Sequence, residues 1–346
     1  MTKDMDIKME VSPLVSIIIV TYNHKKYIDK CLKSVTKQDY SHEIIVVDNN
    51  SIDGTAEYIK TNFPQVKVIE NSQNKGFGAG NNIGAKHSSG EYLVFLNPDT
   101  IVEDNWLKEL VTPLFSGSKL ITTPKILTYD GSKINTCGLI IHFTGLSFTR
   151  GYGDDPNNFD KIESVNGFSG CCFAISNRNF KFLQGFDENF FLYNDDVELS
   201  CRAKINGFDI IFIPTSTIRH DYFLNVQPMK LYYLEKGRYL FIRKYFNNKY
   251  FFCFFPSLFL VEIITFVYAL KLRWNGLKYK LKAIKDGLLT KLKSEPFDGT
   301  NLLNIFDTKI PYGQLIYSKV GYIFLNLVNY LLDLNFQIVK TKLVKL

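Results

Sequence analysis

A chain of 346 residues that is 46% hydrophobic and 15% aromatic is too apolar to be disordered, and it is long enough to bury a real core in one large domain or two. Its net charge of +7 is unevenly spread: residues 221–346 hold 19 Lys/Arg against 8 Asp/Glu, whereas residues 1–220 hold 22 against 26. A basic last third behind a slightly acidic front predicts an anionic partner for the former, either membrane or nucleic acid.

The N-terminal MTKDMDIKMEVS has no apolar signal core, so no secretion is expected. The six cysteines are scattered, without a CxxC pair, which argues against a disulfide framework or a zinc site and makes a reducing cytosol the simplest setting. The first elements follow in order. VSIIIV (15–20), EIIVVD (43–48), VKVIE (66–70) and EYLVFL (91–96) are unbroken apolar runs, as strands buried on both faces of a parallel sheet require. Helix-compatible stretches lie between them at about 25–38, 53–62 and 78–88, with Ser51 or Asp53 as N-cap of the second. This alternation predicts an α/β fold with an open, mostly parallel sheet and a ligand crevice at the carboxyl ends of its strands.

Residues 121–165 read as loops and short strands, and Val165–His220 is compact and dense in motifs. Beyond Asp221 the chain turns basic and aromatic. The predicted division is an α/β domain over 1–225 and a mainly helical region over 226–346. Within the latter, residues 250–270 (YFFCFFPSLFLVEIITFVYAL) are long enough to span a bilayer, but Pro256 and Glu262 interrupt them. With Lys278, Lys280, Lys282 and Lys285 following, in-plane attachment to a membrane surface fits better than a span; a buried core helix is the competing reading. The apolar aromatics among the lysines favour lipid over nucleic acid, and no nucleic acid is expected as partner.

Polar residues cluster where the strands end. Thr21-Tyr22-Asn23 follows the first strand and Asp48-Asn49-Asn50-Ser51 the second; each alone reads as a turn, but together they converge on one crevice. Asn74–Asn82 (NKGFGAGNN) is a glycine-rich loop in which Gly76 permits close backbone approach and Lys75 can meet a phosphate; it matches neither a dinucleotide fingerprint nor a P-loop. In Asn97-Pro98-Asp99-Thr100, Asp99 ends a strand where a carboxylate can hold a divalent cation against a diphosphate. Asp195, Asp196 and Glu198 crowd three carboxylates into four residues, which needs relief by a cation, Arg202 or a raised pKa, and makes one of them a candidate general base. His220, taken alone, reads as structural.

The combination of VSIIIVTYN, EIIVVDNNSIDGT, NKGFGAGNNIG, YLVFLNPDT, GFDENFFLYNDDVELSCR and a later His resembles glycosyltransferase family 2, nearest its rhamnosyltransferase-like branch, over roughly residues 14–245. The resemblance implies a GT-A fold (Rossmann-like) and an inverting, metal-dependent transfer from a dTDP-, UDP- or GDP-linked sugar to a saccharide or lipid-linked acceptor; the basic C-terminal part fits a lipid-linked acceptor at the cytoplasmic face of a membrane. It implies that Thr21, Asn23, Asp48, Asn50, Lys75, Gly76 and Asn97 serve the donor. Asp99, with His220, would hold Mg²⁺ or Mn²⁺, and Asp196, paired with Asp195, would be the base. Two departures stand out: Asn97 replaces the first carboxylate of the family's DxD motif, and Asp195 stands where Glu is usual.

Overall fold

The computed structural model describes residues 13–292, 300–314 and 319–344. The polar N-terminus on which the expectation about secretion rests lies outside them. The front of the chain alternates β1 (Val15–Thr21), α1 (Lys25–Val35), β2 (His42–Asp48), α2 (Thr55–Asn62), β3 (Lys67–Glu70), α3 (Phe77–Lys86) and β4 (Tyr92–Leu96). Then come β5 (Thr100–Val102), α4 (Trp106–Val111), β6 (Leu120–Thr128), β7 (Ile134–Thr136), β8 (Leu139–Ile141), β9 (Ser147–Thr149), β10 (Glu163–Ser164), β11 (Cys172–Ser176), α5 (Asn177–Phe182), α6 (Asp195–Ile205) and β12 (Asp209–His220). Among the described residues, five helices follow: α7 (Pro228–Tyr245), α8 (Asn248–Lys271), α9 (Arg273–Leu289), α10 (Thr300–Leu303) and α11 (Lys319–Val344).

The main sheet runs β10-β12-β6-β11-β4-β1-β2-β3, with β5 on β12 and β7 on β6. The four apolar runs form its parallel half, and every residue of β1 is buried. The other half is mixed, because β11 enters antiparallel between β4 and β6 while β6 and β12 run parallel. Two local expectations need correction. The second helix starts at Thr55 behind Gly54, whose φ of 80° ends the preceding turn, so Asp53 caps from one residue further out by accepting from the Thr55 amide at 3.0 Å. The stretch after residue 120 is more regular than its composition suggests. Pro124 sits inside the nine-residue strand β6, where the register with β12 slips between Ile213 and Thr217, so its missing amide proton breaks no regular ladder.

Among the described residues, two large apolar clusters pack against the sheet. A third joins α7, α8, α10 and α11 to the β8–β9 hairpin and to Val197 and Cys201 of α6, so the C-terminal helices share one core with the helix that carries the acidic pair. Inside the helical region, Arg238, about 1% exposed, pairs with Glu235 at 2.8 Å and with Glu262, and Lys280 pairs with the same two carboxylates. Glu262, read from sequence as an interruption of the apolar run, is thus turned inward. The outward side of α8 keeps an unbroken apolar stripe that includes Phe252, Phe255, Phe259, Ile263, Val267 and Leu270.

Candidate active site

The geometry of the site starts from strand register. Thr21 and Asp48 are paired at the ends of β1 and β2, and the Thr21 hydroxyl donates to Asp48 Oδ1 at 2.9 Å. The Ser51 amide donates to Asp48 Oδ2 at 2.8 Å and its hydroxyl to Oδ1, so the carboxylate braces the loop leaving β2. Asn23 (φ 60°) accepts from the Ile52 amide at 2.9 Å, and Asn50 (φ 66°) also takes the left-handed conformation that asparagine tolerates.

On the other side of β1, the chain after β4 turns through Asn97, whose amide donates to the Cys171 carbonyl at 2.9 Å, and Pro98 to Asp99. Pairing of β5 with β12 then sets Thr100 opposite His220. This brings Asp99 Oδ1 to 3.3 Å from His220 Nε2, within ion-pair range but out of hydrogen-bond alignment. Both atoms are buried and have no hydrogen-bond partner among the described residues, as is His220 Nδ1. Burial opposes ionisation of Asp99, yet His220 and then His24 outweigh it and hold the carboxyl below its usual range. No group of three or more His, Cys, Asp or Glu side chains is arranged to hold a metal among the described residues. A two-residue corner of one carboxylate and one imidazole, with orphaned buried atoms, fits a hard cation that takes its remaining oxygens from phosphate and water.

The acidic pair enters from α6. Tyr193 and Asn194 both have φ of 62°, a sharp two-residue bend that aims the first turn of α6 at the strand ends. Asn194 is fixed by its amide donating to the Leu234 carbonyl of α7 at 3.0 Å. Asp196 accepts from the Gly170 amide at 2.8 Å and from the Val197 amide at 2.9 Å. Asp195 is buried, and its Oδ2 has no partner among the described residues. Burial raises the pKa of both, and for Asp195 the neighbouring charge of Asp196 adds to it. Glu198 is relieved differently: Arg202 at 2.6 Å and Lys244 at 2.9 Å pair with it and, against its burial, hold it ionised. Arg202 therefore answers the crowding, but at Glu198.

These elements enclose a cavity of ≈ 980 Å³. Thr21, Gly76, Asn97, Asp99, Asp195, Asp196 and His220 are on its wall; Asn23, Asp48, Asn50 and Lys75 are not. Lys75 is exposed. The glycines after it serve packing: a Cβ on Gly76 would stand 2.3 Å from the Phe191 carbonyl oxygen, and one on Gly78 2.9 Å from Phe186 Cβ. They let the start of α3 lie against the segment leading to the acidic pair. Sequence reasoning missed several polar wall residues, four of which lie close to the corner of Asp99 and His220 or to the acidic pair. His24 precedes α1 and takes the Tyr22 amide on its ring at 3.0 Å; Tyr222 stacks on His220, with centroids 5.4 Å apart; Tyr193 and Lys230 complete the group. Only His24, three residues beyond a strand end, carried a positional signal.

Residues 16–181 match the family model described as glycosyl transferase family 2. The chain is 26% identical over 231 residues to polypeptide N-acetylgalactosaminyltransferase 11 of Xenopus tropicalis, an alignment covering 60% of the chain and 38% of that protein. It is 27% identical over 203 residues to the low-salt glycan biosynthesis hexosyltransferase Agl10 of Haloferax volcanii, covering 56% of the chain and 63% of the relative. The chain thus spans less than two thirds of either relative's length. Among solved structures, GalNAc-T7 with UDP, GalNAc and Mn²⁺ superposes with a TM-score of 0.57 at 20% identity, covering 81% of the chain and 58% of that structure. Residues 1–349 of TarS from S. aureus give 0.53 at 17%, covering 96% and 91%. The architecture is the GT-A fold with a helical C-terminal region, and the match to the family 2 model falls on its sheet-bearing part, residues 16–181.

Proposed function

We propose that this chain, with a family 2 domain on a GT-A frame, is an inverting glycosyltransferase that moves a hexose from a UDP-, dTDP- or GDP-linked donor to a saccharide or lipid-linked acceptor in glycan biosynthesis. The observation that carries this reading is the meeting of Asp99 and His220 with the Asp195–Asp196 pair on the wall of one cavity at the strand ends. L-rhamnose is the candidate sugar supplied by the sequence resemblance. Thr21, Gly76 and Asn97 line the donor side, with Asn23, Asp48, Asn50 and Lys75 behind and around them. Asp99 and His220 would hold Mg²⁺ or Mn²⁺, which when bound supplies positive charge to a departing diphosphate.

The acceptor hydroxyl is placed against Asp196, whose carboxylate takes its proton as the oxygen attacks the anomeric carbon from the face opposite the diphosphate. The configuration inverts in that single displacement. The buried acidic pair binds a proton more tightly than exposed carboxylates do, which suits a base working toward neutral pH. Asp99→Ala is expected to weaken metal-dependent nucleotide binding about tenfold or more, since charge-assisted contacts of this kind are worth ~1.5–3 kcal/mol. Calorimetric titration with and without Mn²⁺ reads this, and an unchanged metal dependence would remove Asp99 from the role.

A processive polysaccharide synthase is the competing enzyme reading. It is disfavoured because Leu270 stands at the Gln position of a Q-x-x-R-W set, and Arg273 and Trp274 are exposed and off the cavity wall. Membrane contact belongs to the proposal. α8 and α11 are each long and apolar enough to cross a bilayer, and they pack together through Phe254–Phe336 and a Ser257–Asn335 hydrogen bond at 2.6 Å. Their outward residues are largely apolar, with Lys271, Lys278, Lys282 and Lys285 exposed beside them, as surface attachment to an anionic, cytoplasm-facing leaflet requires. Ile263, Val267 and Phe324 lie both on this surface and on the cavity wall, a path by which an acceptor with an apolar tail reaches Asp196. The protein should sediment with vesicles containing anionic phospholipid, and Phe255→Glu with Phe259→Glu should release it. Wild-type protein left in the supernatant would refute the attachment.

A further inference from the structure

Among the described residues, Lys230 on the cavity wall has no carboxylate to answer it. Lys230 lies in the first turn of α7, a helix with no acidic residue in that turn and no side-chain cap. A positive charge there is opposed by the helix dipole. The ammonium sits 4.2 Å from the ring centroid of Tyr222 and 5.4 Å from that of Tyr193, and it donates to the Tyr222 hydroxyl. No salt bridge to Lys230 exists among the described residues, in contrast to Lys244 and Lys280, which each meet two carboxylates. Burial pushes its pKa down to about 8. A partly desolvated ammonium at the positive end of a helix, held by two aromatic faces, is costly unless an anion completes it.

The position of that anion follows from the contacts. Tyr222 is parallel to His220 within 9°, and His220 faces Asp99, so Lys230 is joined through one ring stack to the corner where a diphosphate is read to sit. Leu231 beside it and Val226 just before α7 are on the same cavity wall. We infer that Lys230 binds a phosphate oxygen of the sugar donor's diphosphate and stabilises it as it leaves. This rests on the reading of the cavity as a nucleotide-sugar site. In the transfer, the bond between the anomeric carbon and the diphosphate oxygen breaks and its electron pair stays on that oxygen. The acceptor oxygen forms the new bond, its proton passes to Asp196, and Lys230 keeps its own protons and donates one hydrogen bond to the diphosphate.

The test compares calorimetric titrations of UDP, dTDP and GDP, and of their monophosphates, into wild type, Lys230→Met and Lys230→Arg, with Mn²⁺ present. The nucleoside diphosphate that wild type binds should bind Lys230→Met about ten- to a hundredfold more weakly, the worth of one charge-assisted hydrogen bond. The matching monophosphate should bind both within about twofold, and Lys230→Arg should recover most of the diphosphate affinity. A merely structural lysine would shift mono- and diphosphate alike or neither. Equal diphosphate affinity in wild type and Lys230→Met overturns the proposal, as does a defect confined to the KM of a phosphate-bearing acceptor. If wild type binds none of the three diphosphates, the nucleotide-sugar reading itself fails.

Discussion

Asp196→Asn should lower sugar transfer by about 10²–10⁴-fold, the usual contribution of a positioned general base, while leaving donor binding within about twofold of wild type. The amide keeps the shape of the side chain and can still accept from one of the two amides, Gly170 or Val197, that hold Asp196. What it loses is the carboxylate oxygen to which the proposed function assigns the acceptor's proton. The same assignment sets the pH profile. Burial raises the Asp196 pKa, so the working ionised form should be lost, and the rate should fall, as pH drops through a value above the ordinary 3.8 of an aspartate. A single-turnover assay at saturating donor reads both effects. A variant that transfers at the wild-type rate would take the proton-accepting role away from Asp196.

Arg238→Met should destabilise the fold by about 3–5 kcal/mol, because it strands buried carboxylates rather than replacing a whole ionic group with apolar side chains. Glu235 would keep only Lys280, and Glu262 would lose its ion pair to α7. Burial alone would raise the Glu235 pKa, but Arg238 and Lys280 overcome this and hold it at about 2, below the ordinary 4.5. For a carboxyl depressed in the folded state, the stability is present above the unfolded pKa and lost as pH falls through the folded one. The window is therefore from about pH 4.5 down to about 2, and the contribution above it is on the order of 3 kcal/mol. Urea denaturation at pH 7 and pH 3 should show wild type losing much of that amount and the variant losing little of it. A variant within about 1 kcal/mol of wild type at pH 7 would mean that the four charges add little beyond their own desolvation.

The parallel half of the sheet was legible because its strands are buried on both faces and so are written as continuous apolar runs. The mixed half was not, since β11 and β6 are assigned to neighbours by tertiary pairing, and Pro124 argued locally against a strand that a bulge in β12 makes possible. Asp99, Asp195 and Asp196 could be found because carboxylates at a strand end and a helix start are conspicuous. His220 reached the same corner only through the β5–β12 register. The glycines after Lys75 were read toward a ligand; Gly76 does lie on the cavity wall, and the space that a Cβ would need at Gly76 and Gly78 is taken by Phe191 and Phe186, contacts more than a hundred residues away in sequence. Lys230 and Tyr222 carried no local signal: a lysine in a basic helix becomes unusual only once its neighbours prove to be aromatic rings and not carboxylates.

Under the proposed function, the cavity between the strand ends and α6 takes a sugar nucleotide and delivers its sugar. This is read from the release of nucleoside diphosphate from UDP-, dTDP- and GDP-hexoses by the purified protein with Mn²⁺. Turnover with one of these donors that needs the metal and disappears in Asp196→Asn is the expected result. Absence of both binding and turnover across the three nucleotide classes, with the protein folded, would contradict it.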